Sequence, residues 1–319
     1  MKYTFLVPSY KANFLKKALE SILYQTYDNF NIIVSDDCST ENIEGIVKTF
    51  HDKRLIYRRN NNNIGGVNLV KHWNLLLDLC KSDYLIMASD DDIYNPHFLE
   101  CIDKLITEYP KAFVYRARVQ RINDEEEVIA KEDIFDKFQN KVEVLHSIFC
   151  GNYIGCIGNY VFKTQELKNR GGFINFPYAW FSDMASVINL LDEGQLNTCE
   201  ILFNFRLSAI NISNTIKNKK MDQQKLLATM EFDHWFSNII SKIIRTNNCI
   251  LEQIYINEII SAFKHRVYTQ CGDYSWSLNV LQKYKIIKKI RSNTFFSLLS
   301  FLKYFSIAIM NRMFRFIIK

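Results

Sequence analysis

The chain has 319 residues, of which 48% are hydrophobic and 23% charged, and its formal net charge is +6. This balance supports a packed core in one large domain, or one domain with an appendage, and excludes disorder as the default. The cysteines number 8, with irregular spacing and no CxxC pair, so no disulfide framework or thiolate metal site is encoded and buried thiols in a reducing cytosol are expected.

Tyr3–Val7 is an apolar run that predicts a buried strand closed by Pro8. No basic stretch followed by a long apolar core precedes it, so no secretion signal is expected. Phe14–Gln25 has helical spacing, with Leu15, Leu19, Ile22 and Leu23 on one side. Asn31–Ser35 predicts a second strand that runs into Asp36 and Asp37. A short helix over Ile43–His51 and a strand over Leu55–Arg58 follow, then a turn-rich loop, Asn60–Gly66. Val67–Cys80 predicts a helix. Tyr84–Ala88 predicts a strand that ends in Ser89-Asp90-Asp91-Asp92, and Pro96 opens a helix to about Tyr109. Ala112–Gln120 resumes strand character. Further on, Asp124–Glu127 is an acidic turn, Tyr160–Phe162 a strand, Gly171-Gly172 a turn, Phe181–Leu191 a helix closed by Gly194, and Thr198–Arg206 a strand. From about Lys219 the pattern is helical to the end.

Alternating strand and helix patterns imply a doubly wound, parallel α/β sheet, whose ligands bind beyond the carboxyl ends of strands. Both acidic runs fall at such ends. Adjacent carboxylates repel one another unless a cation is present, and hard oxygen ligands suit Mg²⁺ or Mn²⁺. Asp90-Asp91-Asp92 therefore has two readings, a metal site or a helix cap with exposed neighbours. Asp36-Asp37 likewise either turns the chain or accepts a hydrogen bond from a ligand.

Taken together, these segments resemble the family 2 glycosyltransferases. The run from Val7 to Thr40, VPSYKANFLKKALESILYQTYDNFNIIVSDDCST, is similar to the family's opening block. NIGG at Asn63–Gly66 resembles its Asn-x-Gly loop, and ASDDDIYNP at Ala88–Pro96 its DXD motif. GGF at Gly171–Phe173 and WFSDMA at Trp180–Ala185 resemble the block that carries the catalytic base. The resemblance, carried by motifs from residue 3 to about 206, implies a GT-A fold with a mostly parallel sheet flanked by helices, and the change to helical period sets its extent at residues 1–218. The nucleotide-binding half would cover about 1–120 and the acceptor half about 121–218, with a helical region over 219–319.

The resemblance also implies roles. Pro8, Ser9, Tyr10 and Asp37 would line the nucleotide pocket, with Asp37 on the base. Asp91 and Asp92 would hold Mn²⁺ or Mg²⁺ against the diphosphate, with Asp90 beside them, and Arg206 would contact donor phosphates. Asp183 would be the general base. Three positions depart from the family frame: Ser89 replaces the first carboxylate of Asp-x-Asp-Asp, Cys38 stands where many members have Gly, and Ser182 precedes Asp183 where Glu is common. The implied reaction is inverting transfer of a sugar from a nucleotide-diphosphate donor, a UDP-sugar, to a glycan or lipid-linked acceptor in cell-surface polysaccharide synthesis. The alternatives are a non-catalytic nucleotide-sugar-binding protein and a sugar-phosphate nucleotidyltransferase. The latter needs a Gly-rich phosphate loop where Pro8-Ser9-Tyr10 stands.

The C-terminus is basic, with Lys285, Lys288, Lys289, Arg291, Lys303, Arg312, Arg315 and Lys319. Interleaved Phe and Ile favour an anionic membrane surface, and no nucleic-acid motif frames these cations. Phe295–Ile318 predicts a helix with a wide apolar face. Its uninterrupted apolar stretches fall short of the roughly 20 residues of a membrane span. It either lies on the inner leaflet or packs on protein, so the expected location is cytoplasmic, peripheral on the inner face of the membrane.

Overall fold

The computed structural model describes residues 1–208, 219–246 and 249–275. In chain order the elements are β1 (Tyr3–Ser9), α1 (Leu15–Leu23), β2 (Phe30–Asp36), α2 (Ile43–Lys48), β3 (Leu55–Arg59), α3 (Gly65–Leu79), β4 (Tyr84–Met87), β5 (Ile93–Tyr94) and α4 (Phe98–Glu108). Next come β6 (Val114–Ile122), β7 (Val128–Lys131), β8 (Phe138–Gln139), α5 (Lys141–Cys150), β9 (Tyr160–Lys163), α6 (Thr164–Asn169), α7 (Ser182–Asn189), β10 (Gln195–Arg206), α8 (Lys219–Thr246) and α9 (Ile250–Ser275). The chain divides into two units, one of Met1–Asn175 with Ser182–Thr215 and one of Phe176–Phe181 with Ile216–Lys319.

The first unit is built on one sheet of order β3-β2-β1-β4-β9-β6-β10-β5, with β7 on β6 and β8 on β10. β1, β2, β3 and β4 are mutually parallel, and β10 is parallel to β6. β9 runs antiparallel to both β4 and β6, and β5, β7 and β8 are also antiparallel additions. The sheet is thus mixed, whereas the alternating pattern alone suggested a parallel one. From β1 the order proceeds through β2 and β3 on one side and turns to β4 on the other. This is the switch point at which open α/β sheets hold ligands.

Pro8 lies inside β1, opposite Ser35, and does not close the strand. Residues alternate sides along a strand, and the Leu6 carbonyl accepts from Ala88, so the missing Pro8 N–H faces the β4 side. The β1–β4 ladder has already ended there, at Leu6 and Met87. A proline is tolerated because no ladder bond is lost.

Strands β1, β2 and β4 are buried along nearly their whole length, as expected for a sheet covered on both faces. α1 turns Leu15, Ala18, Leu19 and Ile22 onto it, and α4 turns Phe98, Leu99, Ile102, Leu105 and Ile106. Tyr94 centres an aromatic cluster, edge-on to Phe5 at 5.2 Å and to Phe98 and Phe203 at 4.9 Å each. Such pairs contribute about 1 kcal/mol each beyond area burial. β5, which carries Tyr94, therefore anchors the chain directly after the Asp90–Asp92 run.

In the second unit, Phe232 of α8 stacks on Phe181 at 4.4 Å and 7° and lies 6.0 Å from Phe263 of α9. Tyr178, Ala179 and Phe181 all have positive φ, an arrangement that costs about 1 kcal/mol or more per residue and persists only under tight packing. Among the described residues, no helix is long and apolar enough to cross a membrane. The expected helix over 295–318 lies outside the described residues. None of the thiols is in a disulfide, but only Cys80, Cys156 and Cys271 are buried, while Cys150, Cys199 and Cys249 are exposed.

Candidate active site

The two acidic runs sit on either side of the β1 terminus. The Asp37 amide donates to the Ser9 carbonyl at 2.9 Å. The amides of Tyr10 and Lys11 donate to Asp90 Oδ2 at 3.0 and 3.2 Å. Ser9 is buried and its hydroxyl turns back on the Val7 carbonyl, whereas the Tyr10 ring is exposed. Pro8, Ser9, Tyr10, Asp37 and Asp90 thus meet at the switch point.

The β2 end is saturated with donors. Asp36 accepts from Tyr57, Arg59 and the Ser39 amide, which makes it a rivet between β2 and β3. Asp37 Oδ1 accepts from Asn60 Nδ2 at 2.8 Å and the Ile64 amide at 2.9 Å, while Oδ2 accepts from the Gly65 amide at 2.6 Å. A Cβ on Gly65 would stand 2.9 Å from Asp37 Oδ2. The NIGG loop therefore needs a glycine where it receives this carboxylate. His72, buried in α3, places Nδ1 3.7 Å from Asp37 Oδ2, and its Nε2 meets the Ser35 hydroxyl at 2.9 Å. Burial holds its pKa below the ordinary value, against the pull of Asp37. The position of His72 on a helix gives no sign in the sequence that it faces Asp37.

The β4 end is different. Asp90 is engaged with the β1 terminus. Asp92 is 1% exposed; its Oδ1 accepts the Arg206 amide at 2.9 Å, and its Oδ2 has no hydrogen-bond partner. Burial raises the pKa of Asp92, offset in part by that amide. Burial, then the charges of Asp92 and Asp90, raises Asp91. Both groups resist ionisation chiefly because they are buried; Lys11 and Arg206 offset this only in part at Asp91, and Arg206 and Ser89 only in part at Asp92.

Arg206 ends β10 and is fully buried. Its Nε donates to the Asp91 carbonyl at 2.9 Å, one terminal nitrogen reaches the carbonyls of Asn123 and Asp124, and the other reaches Glu126. The guanidinium also lies 4.2 Å from the Phe14 ring. These contacts make it a holder of the Asp91–Asp92 backbone. Nothing in the sequence distinguished this from a surface arginine or a phosphate contact.

Asp183 lies in the first turn of α7, half-buried, and its Oδ1 accepts the Met184 amide at 2.7 Å. The buried Cys156 thiol is pushed well up, by burial first and then by Asp92, with Arg116 opposing and Glu132 and Asp183 adding smaller contributions. The preceding GGF motif is structural: Asn74 brackets the Phe173 backbone, and Gly171 and Gly172 adopt positive φ.

Among the described residues, no group of three or more His, Cys, Asp or Glu side chains is arranged to hold a metal ion by itself. The donor set nonetheless fits a hard cation shared with a ligand. Mg²⁺ and Mn²⁺ are commonly held by one or two carboxylates plus substrate phosphates, and Asp92 Oδ2 is an orphaned buried oxygen next in sequence to a second carboxylate, Asp91.

Comparison with known proteins agrees. The model of glycosyl transferase family 2 matches residues 4–171, and the chain belongs to this family. It is 30% identical over 171 residues to glycosyltransferase GlyA of Streptococcus pneumoniae serotype 4, a match covering 53% of this chain and 23% of that protein. It is 25% identical over 224 residues to WfgD of Escherichia coli, covering 69% and 82% of the two chains; WfgD is a UDP-Glc:α-D-GlcNAc-diphosphoundecaprenol β-1,3-glucosyltransferase. The fold matches TarS of Staphylococcus aureus in complex with UDP-GlcNAc, with TM-score 0.60, 16% identity and coverage of 98% and 92%. That likeness carries the fold, which is GT-A.

Proposed function

We propose that the chain transfers a sugar, with inversion, from a nucleotide-diphosphate donor of the UDP-sugar class to a glycan or lipid-linked acceptor of cell-surface polysaccharide, at the inner face of the cytoplasmic membrane. The observation that carries this reading is the pairing of Asp91 and Asp92 at the switch point: two adjacent carboxylates, with Asp92 buried and its Oδ2 without a hydrogen-bond partner. The UDP-GlcNAc bound by TarS and the lipid diphosphate acceptor of WfgD support the donor and acceptor classes.

Pro8, Ser9 and Tyr10 line the nucleotide with Asp37, whose carboxylate, fixed by the NIGG loop, faces the base. Asp91 and Asp92 would hold Mn²⁺ or Mg²⁺. A divalent ion there neutralises the charge that develops on the departing diphosphate. Asp90 fixes the β1 terminus, and Arg206 serves the site through the backbone of Asp91 and Asp92. Asp183 accepts the proton of the acceptor hydroxyl as its oxygen bonds to the anomeric carbon. The bond from that carbon to the diphosphate oxygen breaks, and its electron pair leaves with the nucleotide diphosphate. A single base opposite the leaving group gives one displacement and inverts the anomeric centre.

Asp183→Asn tests this. The variant should still be stabilised thermally by a UDP-sugar with Mn²⁺, while transfer falls about a thousandfold. Undiminished turnover would remove Asp183 as base. A parent protein that no nucleotide sugar stabilises would remove the whole assignment.

A further inference from the structure

Among the described residues of the second unit, the exposed large aliphatic side chains lie where α8 ends and α9 begins. Ile250, Leu251 and Ile254 are 83%, 58% and 51% exposed, and Ile244 in the last turn of α8 is 38% exposed. At 100° per residue, positions 250, 251 and 254 share an arc of about 100°, so they form one face. The face stops there, since the next exposed positions of α9, Asn257 and Glu258, are polar. Two exposed cations, Lys242 and Arg245, flank it, while the one acidic residue of the opening turn, Glu252, is half-buried. Elsewhere in the described chain, exposed aliphatics stand singly or in pairs, as is normal for a soluble surface.

We propose that this α8–α9 tip docks on an anionic lipid surface, with Ile244, Ile250, Leu251 and Ile254 entering the headgroup boundary and Lys242 and Arg245 meeting lipid phosphates. Apolar side chains rimmed by Lys and Arg, at the end of a helix pair too polar to span a bilayer, match the chemistry of interfacial insertion. A second protein copy would offer no reason for the flanking cations. The proposal deepens the proposed function and rests on its lipid-linked acceptor, because a tip in the interface brings the enzyme to such a substrate.

The test is flotation of the full chain with vesicles of phosphatidylcholine alone or mixed with phosphatidylglycerol, at low and high salt. The parent should float with the anionic vesicles at low salt. The triple variant Ile250→Ser, Leu251→Ser, Ile254→Ser should lose about tenfold in the bound fraction with an unchanged melting temperature, because the side chains are exposed. Lys242→Gln with Arg245→Gln should lose a similar factor on anionic vesicles only. Flotation of the triple variant equal to the parent would overturn the proposal and assign any membrane binding elsewhere in the chain. Dimers in the parent that the triple variant abolishes, without vesicle binding, would also overturn it in favour of a second copy. Donor-sugar hydrolysis in solution, measured in parallel, should be the same in parent and variants. Its absence in the parent would count against the proposed function and leave the vesicle result standing.

Discussion

The carboxylates after β2 and those after β4 look alike as text and behave in opposite ways. At the β2 end, Asp36 and Asp37 together accept from Tyr57, Arg59, Asn60 and three backbone amides. At the β4 end, Asp92 alone accepts the Arg206 amide, its Oδ2 has no hydrogen-bond partner, and its charge adds to burial in raising the pKa of Asp91. A carboxylate surrounded by donors is held in place with its charge already compensated. One that is buried, short of donors and next to another suits a cation. Position at a strand end nominates both runs, and hydrogen-bond satisfaction separates them.

The largest expected effect is at the unsatisfied end. Asp91→Ala with Asp92→Ala should lower metal-dependent donor turnover by about a thousandfold, yet leave the metal-free protein at least as stable, because a repulsion has been removed. Melting that drops with activity would make these groups scaffold and erase the contrast. At the satisfied end, Asp36→Ala should lower unfolding free energy in urea by about 3 kcal/mol, since Tyr57, Arg59 and the Ser39 amide lose a common acceptor. A loss well under 1 kcal/mol would show that β2 does not depend on this rivet.

A smaller effect isolates burial from repulsion. Asp233 in α8 is buried, and burial raises its pKa to about 7, with Lys264 pulling the other way. The folded chain therefore keeps this proton up to about pH 7, whereas the unfolded chain releases it near pH ~4. Stability is full below that lower value and is lost as pH rises through the window. Asp233→Asn should flatten this decline and raise stability at pH ~8 by about 1–2 kcal/mol. An unchanged profile would mean that burial alone does not perturb a carboxylate here, and that the behaviour of Asp91 and Asp92 stems from their adjacency.

Much of the fold over residues 1–120 was legible because its strands are near-continuous apolar runs and its helices strongly one-sided. The strands at Tyr3, Asn31, Leu55 and Tyr84 start within a residue of where sequence puts them. The misses have local causes. α5 has a capping box, Asn140 with Glu143, whose spacing was present in the sequence but lay in a stretch with no clear period. β5 and β8 have two residues each, too short for any periodicity. At the site, residue types and order pointed to Asp37, Asp91, Asp92 and Asp183. What each carboxylate bonds to was not legible, since the partners Asn60, Gly65, His72 and Arg206 are set by tertiary approach. Gly65 carried the one usable signal, a doubled glycine in a loop beside an acidic strand end.

Arg206 has a practical consequence for anyone who mutates this protein. The exit of β4, the hairpin between β6 and β7, and the start of α1 all converge on that single side chain. Its removal would slacken three segments at once and yield an inactive enzyme whose phenotype mimics a missing phosphate ligand. An alanine scan scored only by activity would thus confound loss of this bracing with loss of a phosphate contact.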